Sequence, residues 1–220
     1  MLPYKLPMIL GHDVAGIITQ VGKNVKKFKV GDQVYSRPAD YHAGTFAQYI
    51  AVNEKDVAFK PKNISMNEAA SIPLVALTAW QALVELSGLK KGQKVFIQAG
   101  SGGVGTMAIQ LAKHLGAVVA TTASTKSFEL LKKLGADILI DYKTNDFEHI
   151  LKDCDVVINS QDQKILEKSL NVLRPNGKVI SICKKINVNI DKIETSMTNS
   201  ELLSEKIKFL CQNFKMRIFS

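Results

Sequence analysis

The chain has 220 residues, 46% of them hydrophobic, and its 29 basic against 20 acidic residues give a formal net charge of +9. Such a length holds one large domain or two small ones, and the hydrophobic content is that of a globular protein. No apolar run reaches the length of a membrane span, and the start MLPYKLPMILG lacks a signal peptide's charged-then-apolar layout. Arg37, Arg174 and Arg217 are the only arginines, and the lysines are spread along the chain. A nucleic-acid reader shows a clustered basic face and a docking motif; a solvated lysine-rich surface that mildly attracts anionic cofactors is the favoured reading here. Cys154, Cys183 and Cys211 form no CxxC pair, which suits a reducing compartment and gives neither a metal nor a disulfide framework. The chain is read as cytoplasmic, with no membrane and no nucleic acid among its partners.

In chain order, Val14–Val21, Asp32–Tyr35, Thr45–Val52 and Val57–Lys60 are short strand-like runs. Turn-forming stretches at Gly22–Asn24, Gly31–Asp32 and Asn53–Lys55 punctuate them, as in a small β domain. Ser65, with Glu68 three residues on, reads as a capping box that opens a helix. Helical residues resume after Pro73 and run from Leu77 to Leu86. Gly88 and Gly92 then break the chain, so the boundary between two domains, 1–90 and 91–220, is placed near residue 90.

The stretch IQAGSGGVGTMAIQLAK, residues 97–113, is the most informative in the chain. An apolar strand, Lys94 to Ala99, runs into a glycine-rich turn that opens directly into an amphipathic helix. Gly100, Gly102, Gly103 and Gly105 leave no Cβ where a pyrophosphate must touch main chain, and the helix points free N–H groups and its positive dipole end at the anion. Gly100, Ser101, Gly102, Gly103, Val104 and Gly105 are the candidate phosphate-binding residues; a plain structural turn is the alternative. Further strands follow at Ala117–Thr121, Asp137–Asp141, Asp155–Asn159 and Lys178–Ile182. Helical stretches at Ser127–Leu134, Asp146–Leu151 and Lys164–Leu173 separate them, the last stopping ahead of Pro175. This alternation predicts an α/β fold with a Rossmann-type doubly wound parallel sheet.

GHDVAGIITQVG, FKVGDQVY, GTFAQYIAV, AASIPLVALTAWQAL and AGSGGVGTMAIQLAKHLGA, in this order, resemble the medium-chain dehydrogenase/reductase superfamily, and most of all its zinc-independent quinone oxidoreductase and enone reductase branch. The resemblance runs from about Leu10 to Ile182 and implies a GroES-like β domain joined to a Rossmann domain. Family members begin with several strands ahead of the segment matching Leu2–Gly11 and return at the far end to complete the β domain. The β domain is therefore expected to be partial. Ser204–Gln212 and Phe214–Phe219 read as a helix and a final sheet strand.

Zinc alcohol dehydrogenases share this scaffold, and His12 matches their histidine ligand. Leu74 stands at the position of a thiolate ligand and no cysteine lies between Tyr35 and Phe46, so no metal is expected. Cofactor choice is read at the end of the second sheet strand, where NAD-preferring domains place an acidic residue. Thr122 stands there, followed by Ser124, Thr125 and Lys126, which favours NADPH. The family's phosphate-binding lysine falls one residue later, at Ser127, and a helix N-cap is the plain alternative for Ser124 and Thr125.

Other family positions map onto Tyr142, near the adenosine, and Thr78, near the nicotinamide. A solvent-edge aromatic and ordinary helix packing are their plain alternatives, and Trp80 reads as core. Asn159, Ser160, Asp162, Gln163 and Cys183 depart from the residues usual around the nicotinamide. The implied chemistry is hydride transfer from NADPH to a small quinone or enone, with Tyr41 as the candidate catalytic hydroxyl or else a plain loop tyrosine. The resemblance allows a homodimer. A truncated, non-catalytic nucleotide-binding remnant of the family is the alternative, and weak or no activity is expected of the chain by itself.

Overall fold

The computed structural model describes residues 7–39, 44–183 and, as backbone, 193–195. Within them the chain divides into two compact units, one reaching Leu77 and the other starting at Thr78. The division falls inside a helix, ahead of the glycines near residue 90 at which the sequence suggested a boundary.

The first unit holds an antiparallel sheet in the order β1 (Val14–Ile17), β2 (Gln33–Ser36), β3 (Val57–Phe59). Tyr35 of β2 sits opposite Ala15 and Ala58 and is 1% exposed, so the middle strand supplies the largest buried side chain of this sheet. Helix α1 (Met66–Ala70) has both halves of the expected capping box: Glu68 N–H donates to Ser65 Oγ at 3.2 Å and Ser65 N–H to Glu68 Oε2 at 2.7 Å. Thr45–Val52, expected as a strand, is not one. Its start is tied by Gly44 N–H to Gly11 O (3.0 Å) and Phe46 N–H to Leu10 O (2.9 Å), and beyond that no described strand lies beside it. Phe46 and Tyr49 are consequently exposed, because alternating apolar residues form a strand only where a neighbour takes up the ladder.

Helix α2 (Pro73–Trp80) continues into a wider, π-helical turn over Gln81–Leu86, where Ser87 N–H reaches back five residues to Ala82 O. The second unit is built on a six-stranded sheet whose pairs are all parallel, in the order β6-β5-β4-β7-β8-β9. Its strands are β4 (Lys94–Ile97), β5 (Val118–Ala123), β6 (Ile138–Asp141), β7 (Cys154–Asn159), β8 (Leu173–Ser181) and β9 (Ile193–Thr195). The helices between them are α3 (Gly103–His114), α4 (Phe128–Leu134), α5 (Phe147–Ile150) and α6 (Gln163–Leu170).

The continuous apolar runs of the sequence thus become strands covered on both faces. Phe96, Ile140, Phe147, Val157, Leu166 and Val179 share one core, with the Phe96 and Phe147 rings 4.9 Å apart. Val95 and Ile97 alternate to the other face, where α3 packs. Two elements differ from expectation. β8 starts at Leu173, before Pro175, because a register shift opposite Cys154–Val156 absorbs Pro175 and Asn176, the latter at φ 63°. β9, which the sequence did not announce, pairs with β8 through Val179–Ser181. The stretches 204–212 and 214–219 lie outside the described residues.

Candidate functional site

Strand order reverses direction of growth at β4, which has β5 on one side and β7 on the other, and in such sheets the crevice at this point takes ligands. The glycine turn leaves the carboxyl end of that strand. Gln98 N–H donates to Ile158 O on β7 (3.2 Å), while Gly100 N–H donates to Thr122 O on β5 (2.9 Å). Ala99 between them adopts a left-handed φ of 50°, and its carbonyl accepts Gly102 N–H at 2.9 Å. The chain is thereby turned sharply into α3.

The glycines of this turn do different work. A Cβ on Gly100 would come 2.1 Å from Thr121 Oγ1, and one on Gly105 2.4 Å from Ala99 O and 2.7 Å from Gly100 Cα. These two are required by the protein's own packing of turn against strand and helix. At Gly102 the nearest atom would be Ala99 O at 3.3 Å, a tight contact but a far milder one. Ser101, Gly102 and Gly103 are exposed, Val104 is half-buried and Gly105 buried. Gly102 is the N-cap of α3 and provides no capping side chain, so the first amides of the helix have no partner within it. An exposed helix N-terminus with unmet N–H groups, free of a Cβ at its cap, fits the pyrophosphate of a dinucleotide.

The residues read as choosing the cofactor lie along the same edge. Ala123 of β5 pairs with Asp141 of β6, so Ser124 and Tyr142 leave the sheet side by side. Ser124 is half-buried and stands at the N-cap of a single 3-10 turn, Thr125–Ser127, without using its hydroxyl as a cap. Lys126 on that turn is exposed, and Tyr142 is 61% exposed. Thr122 is buried, and its Oγ1 accepts Ala99 N–H at 3.2 Å. Thr78 is half-buried on α2. Trp80, expected as core, is only partly covered and donates its Nε1–H to Glu85 at 3.0 Å. Tyr41, the candidate catalytic hydroxyl, lies outside the described residues.

On the far side of β4 the polar side chains serve each other. Asn159 is fully buried and donates to Ser181 Oγ and Gln161 O, both at 3.2 Å. Gln98 Nε2 donates to Ser169 Oγ, tying the end of β4 to α6. Asp162 caps α6 by accepting Ile165 N–H at 3.0 Å. Asn159 and Asp162 thus serve the fold's own hydrogen bonding. Cys183 is half-buried, and burial raises its thiol pKa.

Sequence reasoning weighed His12 and passed over its neighbour. Asp13 Oδ1 accepts Leu74 N–H at 2.9 Å, acting as a remote cap for α2, whose first residue is Pro73. Burial pushes the Asp13 carboxyl up to about 6, with the Leu74 bond and the charge of buried Arg37 pulling the other way. A carboxyl raised in the folded state stabilises that state fully below its unfolded value near 3.8 and loses this contribution as pH rises through about 6. Asp13→Asn keeps an acceptor for Leu74 and has no proton to lose. We expect thermal unfolding of the wild type, measured against this variant, to weaken as pH is raised from about 4 to about 7. A difference between the two that is flat with pH would show that Asp13 is not desolvated.

The alcohol dehydrogenase GroES-like domain matches residues 2–62, and the zinc-binding dehydrogenase domain matches residues 103–209. A 2-methylene-furan-3-one reductase of Solanum lycopersicum is 44% identical over 80% of this chain and 46% of its own length. An alcohol dehydrogenase superfamily protein from Novosphingobium aromaticivorans superposes with a TM-score of 0.87 at 30% identity, over 94% of this chain and 69% of that one. The Escherichia coli quinone oxidoreductase complexed with NADPH gives 0.84 at 26% identity, over 99% and 75%. The chain belongs to the medium-chain dehydrogenase/reductase superfamily, in its quinone oxidoreductase branch. It spans about half the length of the curated relatives it matches.

Proposed function

We propose that the chain binds NADPH along the carboxyl edge of its parallel sheet and belongs to a reductase of quinones or α,β-unsaturated carbonyls that works without zinc. The observation that carries this reading is the exposed, uncapped N-terminus of α3 behind the left-handed Ala99. Gly100 to Gly105 hold the pyrophosphate, Ser124 and Lys126 the 2′-phosphate, Tyr142 the adenosine end and Thr78 the nicotinamide end. When bound, the cofactor supplies a hydride. The chain's own part is to fix the cofactor and to offer hydroxyls to the oxygen where charge collects, with Tyr41 as the candidate donor.

Zinc independence rests on the residues at the ligand positions. Leu74 offers an apolar side chain and spends its amide on Asp13. Among the described residues no group of three His, Cys, Asp or Glu could hold a metal ion. A catalytic zinc needs three protein ligands. A second reading, nucleotide binding without turnover, is favoured by the exposure of Ile9, Leu10, Ile17, Phe46, Tyr49 and Phe59 in the first unit.

Steady-state oxidation of NADPH with a small quinone and a short enone tests both, on this chain and on one completed to the length of its relatives. The reductase reading expects turnover by the completed chain, with no stoichiometric zinc by elemental analysis. Tight NADPH binding with no turnover by the completed chain would leave only the second reading. Stoichiometric zinc, lost on His12→Ala, would overturn the metal assignment.

A further inference from the structure

We infer that Thr122 is a positioning residue that clamps the glycine turn in its binding conformation, and that it takes no part in telling NADPH from NADH. The inference rests on the proposal that the turn holds the dinucleotide's pyrophosphate. It reassigns a residue whose place at the end of the second sheet strand made it a candidate for cofactor choice.

Ala99 occupies the left-handed region, which residues with a Cβ adopt only when their surroundings hold them there. What holds it comes mainly from Thr122. Ala99 N–H donates to Thr122 Oγ1 at 3.2 Å, and Gly100 N–H donates to Thr122 O at 2.9 Å, so two successive amides of the turn end on one residue of β5. Thr121, on the opposite face of the strand, completes the arrangement by donating its hydroxyl to Ile97 O at 2.6 Å, at the last residue of β4. It also fills the space that Gly100 leaves open. Of these bonds only the one to Ala99 depends on the Thr122 side chain.

The functional consequence follows from what the turn presents. Ala99 O fixes Gly102 through its amide, and Gly102 caps α3, so the direction of the first helix amides depends on the conformation of Ala99. Those amides face the pyrophosphate, which NADPH and NADH share. The Thr122 hydroxyl is buried and engaged with Ala99, whereas Ser124 and Lys126, on the turn beyond β5, are the more exposed groups. A clamp therefore acts equally on both cofactors, and discrimination falls to Ser124 and Lys126.

The test uses Thr122→Val, which keeps the shape of the side chain and its fitness for a strand, and Thr122→Ser, which keeps the hydroxyl. Amide hydrogen exchange at Ala99 is read on the cofactor-free chain, and NADPH and NADH affinities are read by calorimetry at one salt concentration. With valine, exchange at Ala99 is expected to quicken and both affinities to fall by the same factor, about three- to tenfold for one lost hydrogen bond. Serine is expected to restore all three. Valine that weakens NADPH at least about threefold more than NADH would overturn the inference in favour of a ribose or phosphate contact. Valine that leaves Ala99 exchange and both affinities unchanged would overturn it outright. A wild type that binds neither dinucleotide, with exchange at Ala99 still governed by the hydroxyl, would uphold the clamp and overturn the reading of the site.

Discussion

Gly105→Ala is expected to destabilise the parallel-sheet unit more than Gly102→Ala. A Cβ at position 105 would lie 2.4 Å from Ala99 O, 2.7 Å from Gly100 Cα and 2.8 Å from Gly100 O, all of them backbone atoms of the turn. Backbone cannot swing aside as the end of a flexible side chain can, so α3 must move off the strand or the turn must open. Overpacking of this kind costs about 1–3 kcal/mol and occasionally more, which lowers the melting temperature of a chain of this size by roughly 3–10 °C. At Gly102 the single close contact is 3.3 Å, and the backbone angles, φ −77° and ψ 168°, are open to alanine. That variant should melt roughly 2–4 °C below wild type, since alanine is a poorer N-cap than glycine by about 1 kcal/mol. It should also weaken NADPH and NADH alike, because a methyl now stands at the mouth of the proposed pyrophosphate site. Equal melting shifts in the two variants would show that the turn does not approach the helix as described.

Lys126→Ala carries the other large effect, this time on selectivity. Lys126 is exposed on the turn that follows β5, beside the half-buried Ser124, and no ion pair involving it is present among the described residues. A charge-assisted contact to a phosphate contributes about 1.5–3 kcal/mol, so its loss should weaken NADPH about tenfold or more. NADH, which has a hydroxyl where NADPH has the phosphate, should change by less than about twofold, as salt screens a remote exposed charge. Calorimetric titrations of the variant with both cofactors decide this. An equal loss for the two would make Lys126 a surface charge and pass the phosphate to another group.

The sheet was legible because its strands are short apolar runs covered on both faces, and each run from Val95 to Val179 carries that signature locally. The capping box at Ser65 and Glu68 was legible for the same reason: both its partners lie within one turn of chain. The strand expected at Thr45–Val52 failed because alternation states only that a strand could form, and the ladder that would pair with it is a property of the whole fold. β9 was missed because Ile193–Thr195 is three residues long and has a glutamate at its centre. Within the candidate site, the glycine spacing announced the turn from β4 into α3, yet it did not separate Gly100 and Gly105, which serve packing, from Gly102, which keeps the cap open. The left-handed Ala99 and its tie to Thr122 join positions 23 apart, and Asp13 meets Leu74 across 61 residues. No local pattern encodes such pairs. The most telling signal for Asp13 was Pro73, which marks a helix start whose capping partner has to come from elsewhere.

Titration of the wild-type chain with NADPH and NADH, at one fixed salt concentration, tests the central claim most directly. The account predicts that one NADPH binds per chain and binds about tenfold or more tightly than NADH, since a charge-assisted contact separates the two. Equal affinities, tighter NADH, or no binding of either would contradict it.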